Sequence, residues 1–263
     1  MPTMPTVPVE LTRRVRTSLA TFGAAWIFFL RVMSLFPRAL ARPLLVIEQV
    51  YSLGNRTLAL VGFAGLFVGL VIALQLYGVL GLFGATSALG PIVAITLLRE
   101  LGPVMAALLY AGRAGTALAS EIGLMRATDQ LSAMEMMAVD PVRRVVAPRF
   151  VGGVIAVPLL TLAFNVIGIF GAWLVAVNMM QMDPSVFWGQ MHSNVKFFGD
   201  FINGIIKSVI FGLAVNLIAV YEGFTARSTA DGVARATTRT VVISSLAVLA
   251  LDFVLTAFMY QGA

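Results

Sequence analysis

Residues 58–80 read LALVGFAGLFVGLVIALQLYGVL, with Gln75 the one polar side chain of note. About 20 apolar residues of helix cross the hydrocarbon core of a bilayer. Backbone groups in lipid find no water, so such a run must pair its N–H and C=O groups within itself, which makes it a helix. Working outward, residues 89–112 are apolar apart from Thr96, Arg99 and Glu100, and residues 150–177, 201–221 and 240–260 form three more apolar runs. The expected fold is an all-α membrane protein with five transmembrane helices in a single domain spanning residues 1–263.

Composition agrees. The chain is 59% hydrophobic and 11% charged, against about 25% charged residues in a soluble domain. A net charge of +6 could point to nucleic acid, but that needs basic residues gathered on one water-facing surface. Here they fall between apolar runs. The chain has no cysteine and one histidine, His192, so disulfides, thiol catalysis and multi-histidine metal sites are excluded. His192 is expected in a solvated loop.

Residues 10–36 differ from the five runs. Arg13, Arg14 and Arg16 precede a short apolar stretch, Thr17 to Leu30, closed by Arg31. A cleavable signal peptide is the weaker reading, because no small-residue cleavage site follows directly. The stronger one is an interfacial helix embedded in the inner leaflet, its arginines reaching the headgroups. Seven arginines precede the first run, five lie between runs two and three, and three between runs four and five. The other side has only Lys196, a balance of fifteen to one. Cytoplasmic loops carry the positive excess, so the N-terminus is expected in the cytoplasm and the C-terminus outside, in the periplasm.

Two connections read as structured. Asp140-Pro141 pairs an N-cap residue with a first-turn proline, within a long loop over residues 113–149. Asp183-Pro184 opens SVFWGQMHSNVKFF, where Phe187, Trp188, Met191, Val195 and Phe198 recur at helical spacing. That spacing predicts a short helix on the outer membrane surface. Gly62, Gly65 and Gly69 in the first run, and Gly152, Gly153, Gly168 and Gly171 in the third, fit close helix approach. Glycine is also simply common in membrane helices.

No G-x-x-x-x-G-K-[ST] phosphate loop is present, so ATP is not expected to bind this chain through such a loop. The informative residues are charges inside apolar runs: Arg99, Glu100, Lys207 and Asp252. An isolated charge there costs a few kcal/mol, so such groups pair or face water. At about 1.5 Å of rise per residue all four fall at a similar depth in the outer half of the membrane. Two cations and two carboxylates can neutralise one another, with one pair formed by Lys207 and one by Asp252. They either pin helices together or form the polar floor of a cavity opening outward. Gln75, Tyr77, Val79, Leu80 and Phe83 with Leu101 would suit an amphiphile above that floor, or simply face lipid. Met134, Met136 and Met137 suit either packing or docking to another protein.

At residues 97–150, LLRELGPVMAALLYAGRAGTALASEIGLMRATDQLSAMEMMAVDPVRRVVAPRF resembles the signature region of the MlaE family of ABC permeases. KSVIFG at 207–212 and RATTRTVVISSLAVLALDFVLTAF at 235–258 resemble it too. The resemblance implies a homodimeric inner-membrane permease of a Gram-negative bacterium that moves glycerophospholipids between inner and outer membranes and maintains outer-membrane lipid asymmetry. It implies a cytoplasmic ATPase pair (MlaF-type) that uses ATP and magnesium, a STAS-domain protein (MlaB-type) and a periplasmic MCE hexamer (MlaD-type). No cofactor is then expected on this chain. Glu121–Asp140 resembles the coupling helix, placed at about residues 117–138, with Glu121, Gly123, Arg126, Gln130, Glu135 and Asp140 expected at the ATPase. The four intramembrane charges match charged positions of the family. An ion-coupled secondary transporter and a non-transporting scaffold for MCE subunits are the alternatives.

Overall fold

The computed structural model describes residue 23, residues 26–37 and residues 43–260. Arg13, Arg14 and Arg16 lie outside the described residues. Eight helices make up the described chain: α1 (Trp26–Pro37), α2 (Pro43–Leu82), α3 (Thr86–Ala127), α4 (Gln130–Met136), α5 (Val142–Met179), α6 (Pro184–Asn194), α7 (Phe197–Thr225) and α8 (Ala230–Met259). Five of them, α2, α3, α5, α7 and α8, are long and apolar enough to cross a membrane. Loops between them are short, so consecutive long helices run antiparallel. The bundle therefore has two ends, one bearing α4 and the other α6.

Each expected apolar run falls on one long helix, and all five helices overrun their runs, α2 and α3 the most. α2 starts at Pro43 and is 40 residues long, about 60 Å at 1.5 Å per residue. α3 is 42 residues long and continues to Ala127, well past the expected end at 112. Residues 116–127, TALASEIGLMRA, contain no proline and a single glycine, too little to stop a helix. The break comes at Asp129, whose φ of 57° is left-handed, a conformation that Asp tolerates better than most residues. The helix expected over 117–138 is thus two pieces, the end of α3 and the short α4. A second left-handed residue, Ala138 (φ 59°), closes α4.

Both Asp-Pro starts hold. Asp140 Oδ1 accepts from the Val142 N–H at 3.0 Å, and Asp183 Oδ1 from Ser185 N–H at 2.7 Å. The bonds from Ser185 hold the Asp183 carboxyl below the usual carboxylate range. α6 ends at Asn194, so Val195 and Phe198 fall outside it. His192 lies on this helix and not in a loop.

Glycine sets the packing of α2 on α5. A Cβ at Gly69 would run into the Gly168 carbonyl oxygen, one at Gly65 would sit 2.8 Å from the Phe164 oxygen, and one at Gly171 2.7 Å from the Leu66 oxygen. The two backbones therefore touch, as small residues permit in lipid where the hydrophobic effect does not drive association. Where α3, α5 and α7 meet, Tyr110 Oη donates to Asn216 Oδ1 at 2.8 Å. A Cβ at Gly153 would lie 2.6 Å from that hydroxyl, so glycine makes room for a buried polar pair.

The core has two parts. Val61, Leu89, Leu97, Phe164, Phe187 and Phe211 belong to one. Toward the α4 end, Leu118, Ile122, Leu131, Phe150 and Val220 form the other, joined by Val32 and Leu35 of α1. Phe36 stands edge-on to Phe150, and Phe28 contacts Tyr221 and Phe224. The opposite face of α1 exposes Trp26, Ile27 and Leu30, the one-sided burial expected of an interfacial helix. Half of the apolar window of α5 and of α7 is buried within the chain, against 11% for α8.

Gly69→Ala is expected to lower stability by about 1–3 kcal/mol through overpacking. Gly78→Ala, where an added Cβ meets nothing within 4 Å, is expected to stay within about 0.5 kcal/mol of the parent. Thermal unfolding of the purified protein in detergent separates the two. Equal midpoints would show that α2 and α5 do not touch through Gly69.

Candidate functional site

The centre of the site is built by two irregular turns and one glycine. α3 contains a π-turn at Leu97–Leu101, closed by a bond from the Gly102 N–H to the Leu97 oxygen. Pro103 follows and has no N–H to return to the preceding turn, which accounts for the widened winding. Arg99 and Glu100 lie on this turn. α7 opens with a second π-turn, Phe197–Ile202, carrying Asp200. A Cβ at Gly204 would collide with the Leu98 oxygen, so α7 lies directly on the α3 turn. Lys207, three residues on, is brought level with Glu100.

Lys207 is fully buried, and its Nζ donates to Glu100 Oε2 at 2.6 Å, Asp252 Oδ1 at 3.1 Å and Thr256 Oγ1 at 2.7 Å. An ammonium has three hydrogens, and each has an acceptor here. Thr256 passes its own hydrogen to Glu100 Oε2 at 3.2 Å. Three helices, α3, α7 and α8, are tied at one level, as the depth count required. Glu100 and Asp252 keep 35% and 24% of their side chains exposed, so the cluster has a buried cation and a partly open carboxylate rim.

One expected pairing fails. Asp252 does not pair with Arg99, because it shares Lys207 with Glu100. The partner of Arg99 is Asp200, whose Oδ1 accepts from Arg99 Nε at 2.5 Å and also pairs with its Nη2. Asp200 is 1% exposed, and its Oδ2 accepts from the Lys196 N–H at 2.7 Å. The group therefore comprises two cations and three carboxylates, and is not a neutral quartet. Asp200 was missed because it precedes the fourth apolar run by one residue. Its signal was an isolated carboxylate within FFGDFI.

Among the described residues nothing encloses the six residues expected to line an amphiphile site. Tyr77, Leu80 and Leu101 pack partly against the core, while Gln75, Val79 and Phe83 are exposed near the α6 end of α2. A cavity of about 540 Å³ lies elsewhere, beneath α6, lined by Leu98, Ile169, Trp188, Met191, His192 and Phe201 among others. Its residues Leu98 and Phe201 adjoin the Arg99–Asp200 pair in sequence.

At the other end, the expected coupling residues divide. Gly123 is buried, with the Val233 methyls about 3.3 Å from where its Cβ would be, and so is a packing residue with no surface to offer. Arg126 donates to the Phe224 carbonyl and lies over the Phe224 ring. Glu121 pairs with Arg149 at 3.4 Å, and Asp140 with Arg31 at 3.1 Å. Gln130 and Glu135 are exposed on α4. Met134 is tucked into the core, whereas Met136 and Met137 are 84% and 68% exposed beside it.

The family model described as Permease MlaE matches residues 46–258. The chain belongs to the MlaE permease family. It is 52% identical over 216 residues to the intermembrane phospholipid transport system permease protein MlaE of Haemophilus influenzae, covering 82% of this chain and 83% of that one. A probable ABC transporter permease protein of Rickettsia prowazekii is 34% identical over 82% of this chain and 83% of its own. The chloroplastic protein TRIGALACTOSYLDIACYLGLYCEROL 1 of Arabidopsis thaliana is 29% identical over 82% of this chain and 62% of its own. The MlaE match takes in every charged residue of the central group.

Two measurements test the central group. Lys207→Met leaves two carboxylates facing each other and is expected to cost about 3 kcal/mol, the low end for breaking a buried pair because both keep some exposure. It is read as loss of folded protein by detergent unfolding. A double-mutant cycle of Arg99→Gln with Asp200→Asn is expected to show coupling of about 1 kcal/mol or more. The same cycle with Asp252→Asn should show less. The reverse order would contradict the observed pairing.

Proposed function

We propose that this chain is the membrane-spanning permease subunit of an ABC transporter that moves glycerophospholipids between the inner and outer membranes and so maintains outer-membrane lipid asymmetry. The observation that carries it is membership of the MlaE family together with 52% identity to a relative named for intermembrane phospholipid transport. The chain sits in the inner membrane with the α4 end in the cytoplasm and the α6 end in the periplasm, as the fifteen-to-one distribution of basic residues favours.

Two copies form the working permease. α8 is the least covered span, and its exposed Leu246, Leu249, Phe253 and Phe258 are the surface for the second copy. A second copy also supplies the wall that Gln75, Tyr77, Val79, Leu80, Phe83 and Leu101 lack. The lipid's polar end then meets the rim of Glu100 and Asp252 while its chains lie on these apolar residues. The ATPase docks on the α4 tip, where Met136, Met137 and Glu135 stand out. ATP and magnesium are bound by that ATPase. A STAS-domain protein and a periplasmic MCE hexamer complete the assembly. α3 joins the two sites in one helix, carrying Glu100 toward one end and Glu121 toward the other.

In vesicles containing the purified complex, lipid transfer is expected to require ATP and to stop when the ATPase partner cannot hydrolyse it. Transfer driven by a proton gradient instead would favour an ion-coupled transporter, and no transfer at all a scaffold. Glu135→Lys is expected to reduce ATPase co-purification with normal membrane insertion, and Glu100→Lys to reduce transport with the ATPase still bound. Because the chain has no cysteine, single cysteines at Met136 and Gln190 report orientation. Labelling of Met136→Cys from the periplasm would reverse the assignment.

A further inference from the structure

The cavity of about 540 Å³ beneath α6 is walled by four helices. Leu98 comes from α3, Ile169 from α5, Phe201 from α7, and Trp188, Met191 and His192 from α6. Phe187 of α6 is fully buried, and a Cβ at Gly90 of α3 would sit 2.5 Å from its carbonyl oxygen. Glycine at that position lets α6 lie directly on α3 and roof the cavity. Leu98 and Ile169 lie about 15–18 Å from the α6 ends of their helices at standard rise. The floor is therefore within hydrocarbon. Trp188 and Phe197 are 42% and 62% exposed and stand at the mouth, where aromatic rings mark a membrane interface.

No residue of α2 or α8 lines the cavity, so the surfaces given above to the second copy do not include it. Neither Glu100 nor Asp252 lines it either. Apolar cavities stay dry and take apolar ligands, and this one falls within the roughly 300–1,000 Å³ of ligand pockets. Its polar groups are confined to one helix. Trp188 and His192 are one turn apart on α6, and among the described residues neither side chain has a hydrogen bond. Indole is a donor only, and imidazole carries at least one N–H. Among the described residues no carboxylate lines the cavity. An apolar interior below two unspent donors matches an acyl chain whose ester and phosphate oxygens, all acceptors, lie at the mouth. An apolar segment of a partner subunit would leave both donors unmatched.

We propose that this cavity holds one acyl chain of a phospholipid of the periplasmic leaflet, with Trp188 and His192 donating to its ester or phosphate oxygens. This lipid is separate from the one at the rim of Glu100 and Asp252. It lies against Leu98 and Phe201, whose chain neighbours Arg99 and Asp200 form the second ion pair. It therefore braces the point where α7 crosses the π-turn of α3. The choice of leaflet rests on the orientation proposed above; the cavity and its lipid do not rest on transport.

The test uses the complete complex in vesicles of ethanolamine phospholipid doped with a diacyl phospholipid whose chain ends in a diazirine. The complex is moved into probe-free detergent and irradiated, and labelled residues are read by mass spectrometry. Adducts at Leu98, Ile169 and Met191 are expected to survive the exchange. Those at Val166, a residue of α5 that is 68% exposed, are expected to disappear. Trp188→Phe and His192→Leu alter exposed residues, and each should lower the retained adducts about fivefold, the effect of one lost hydrogen bond. Glu100→Lys should leave them unchanged. Equal loss at Met191 and Val166, or retention indifferent to both rim variants, would overturn the site. Full displacement by an equal amount of free fatty acid would reject a phospholipid, and loss of adducts in Glu100→Lys with the ATPase still bound would reject a separate lipid. ATP-driven transport is measured in the same vesicles. Its absence with adducts retained sinks the transport reading alone, and normal transport without retained adducts sinks the cavity alone.

Discussion

The demand of one buried ammonium organises the bundle. Lys207 has no exposure to solvent, and a charge in that position is tolerated only with every proton matched. Its three acceptors come from two other helices, Glu100 from α3 and Asp252 and Thr256 from α8. Meeting that demand fixes the rotation and the height of α3, α7 and α8 together. The close contact at Gly204 and the π-turn at Leu97–Leu101 make the match geometrically possible. Apolar packing alone would allow the helices to slide, since lipid solvates an apolar helix face as well as another helix does.

The glycines act alongside that constraint. Gly69 against Gly168 and Gly65 against Phe164 clamp α2 to α5, away from the charged group. Gly153 and Gly204 clear space for polar contacts instead, the first for Tyr110 and Asn216 and the second for Lys207. One residue type thus serves two purposes, and its neighbours decide which. α8 packs along α7 and α3, with Ala236, Thr240, Ser244 and Val248 buried besides the Asp252 and Thr256 contacts.

Much of this could be read directly from residues. Five spans follow from unbroken apolar runs, because hydrocarbon permits no other backbone arrangement. The common depth of Glu100, Lys207 and Asp252 follows from counting residues at constant rise. The Asp-Pro helix starts follow from capping chemistry. What could not be read depends on side-chain direction. A π-turn alters rotation within one helix, so the partners of Arg99 and Asp252 could not be assigned from spacing. Asp200 sits just before an apolar run and so falls outside the charges counted within the runs. The end of α3 was placed too early because polarity, and not helix propensity, was used to mark it: residues 113–127 leave the apolar pattern but contain no proline to stop the helix. Gly123 resembled a contact residue, but only the position of α8 shows that Val233 already covers it. Among the described residues none covers Gln75, Val79 or Phe83.

α3 runs from the charged group to the turn at Asp129, a rod of about 40 Å from Glu100 to Ala127 at standard rise. A hydrogen bond of 2.6 Å is lost once its atoms separate beyond about 3.2 Å. Half an ångström of travel at the far end is therefore enough to release Lys207 from Glu100, and a tilt of very few degrees at the near end produces it. The two π-turns of α3 interrupt that rod at the two arginines, Arg99 and Arg113.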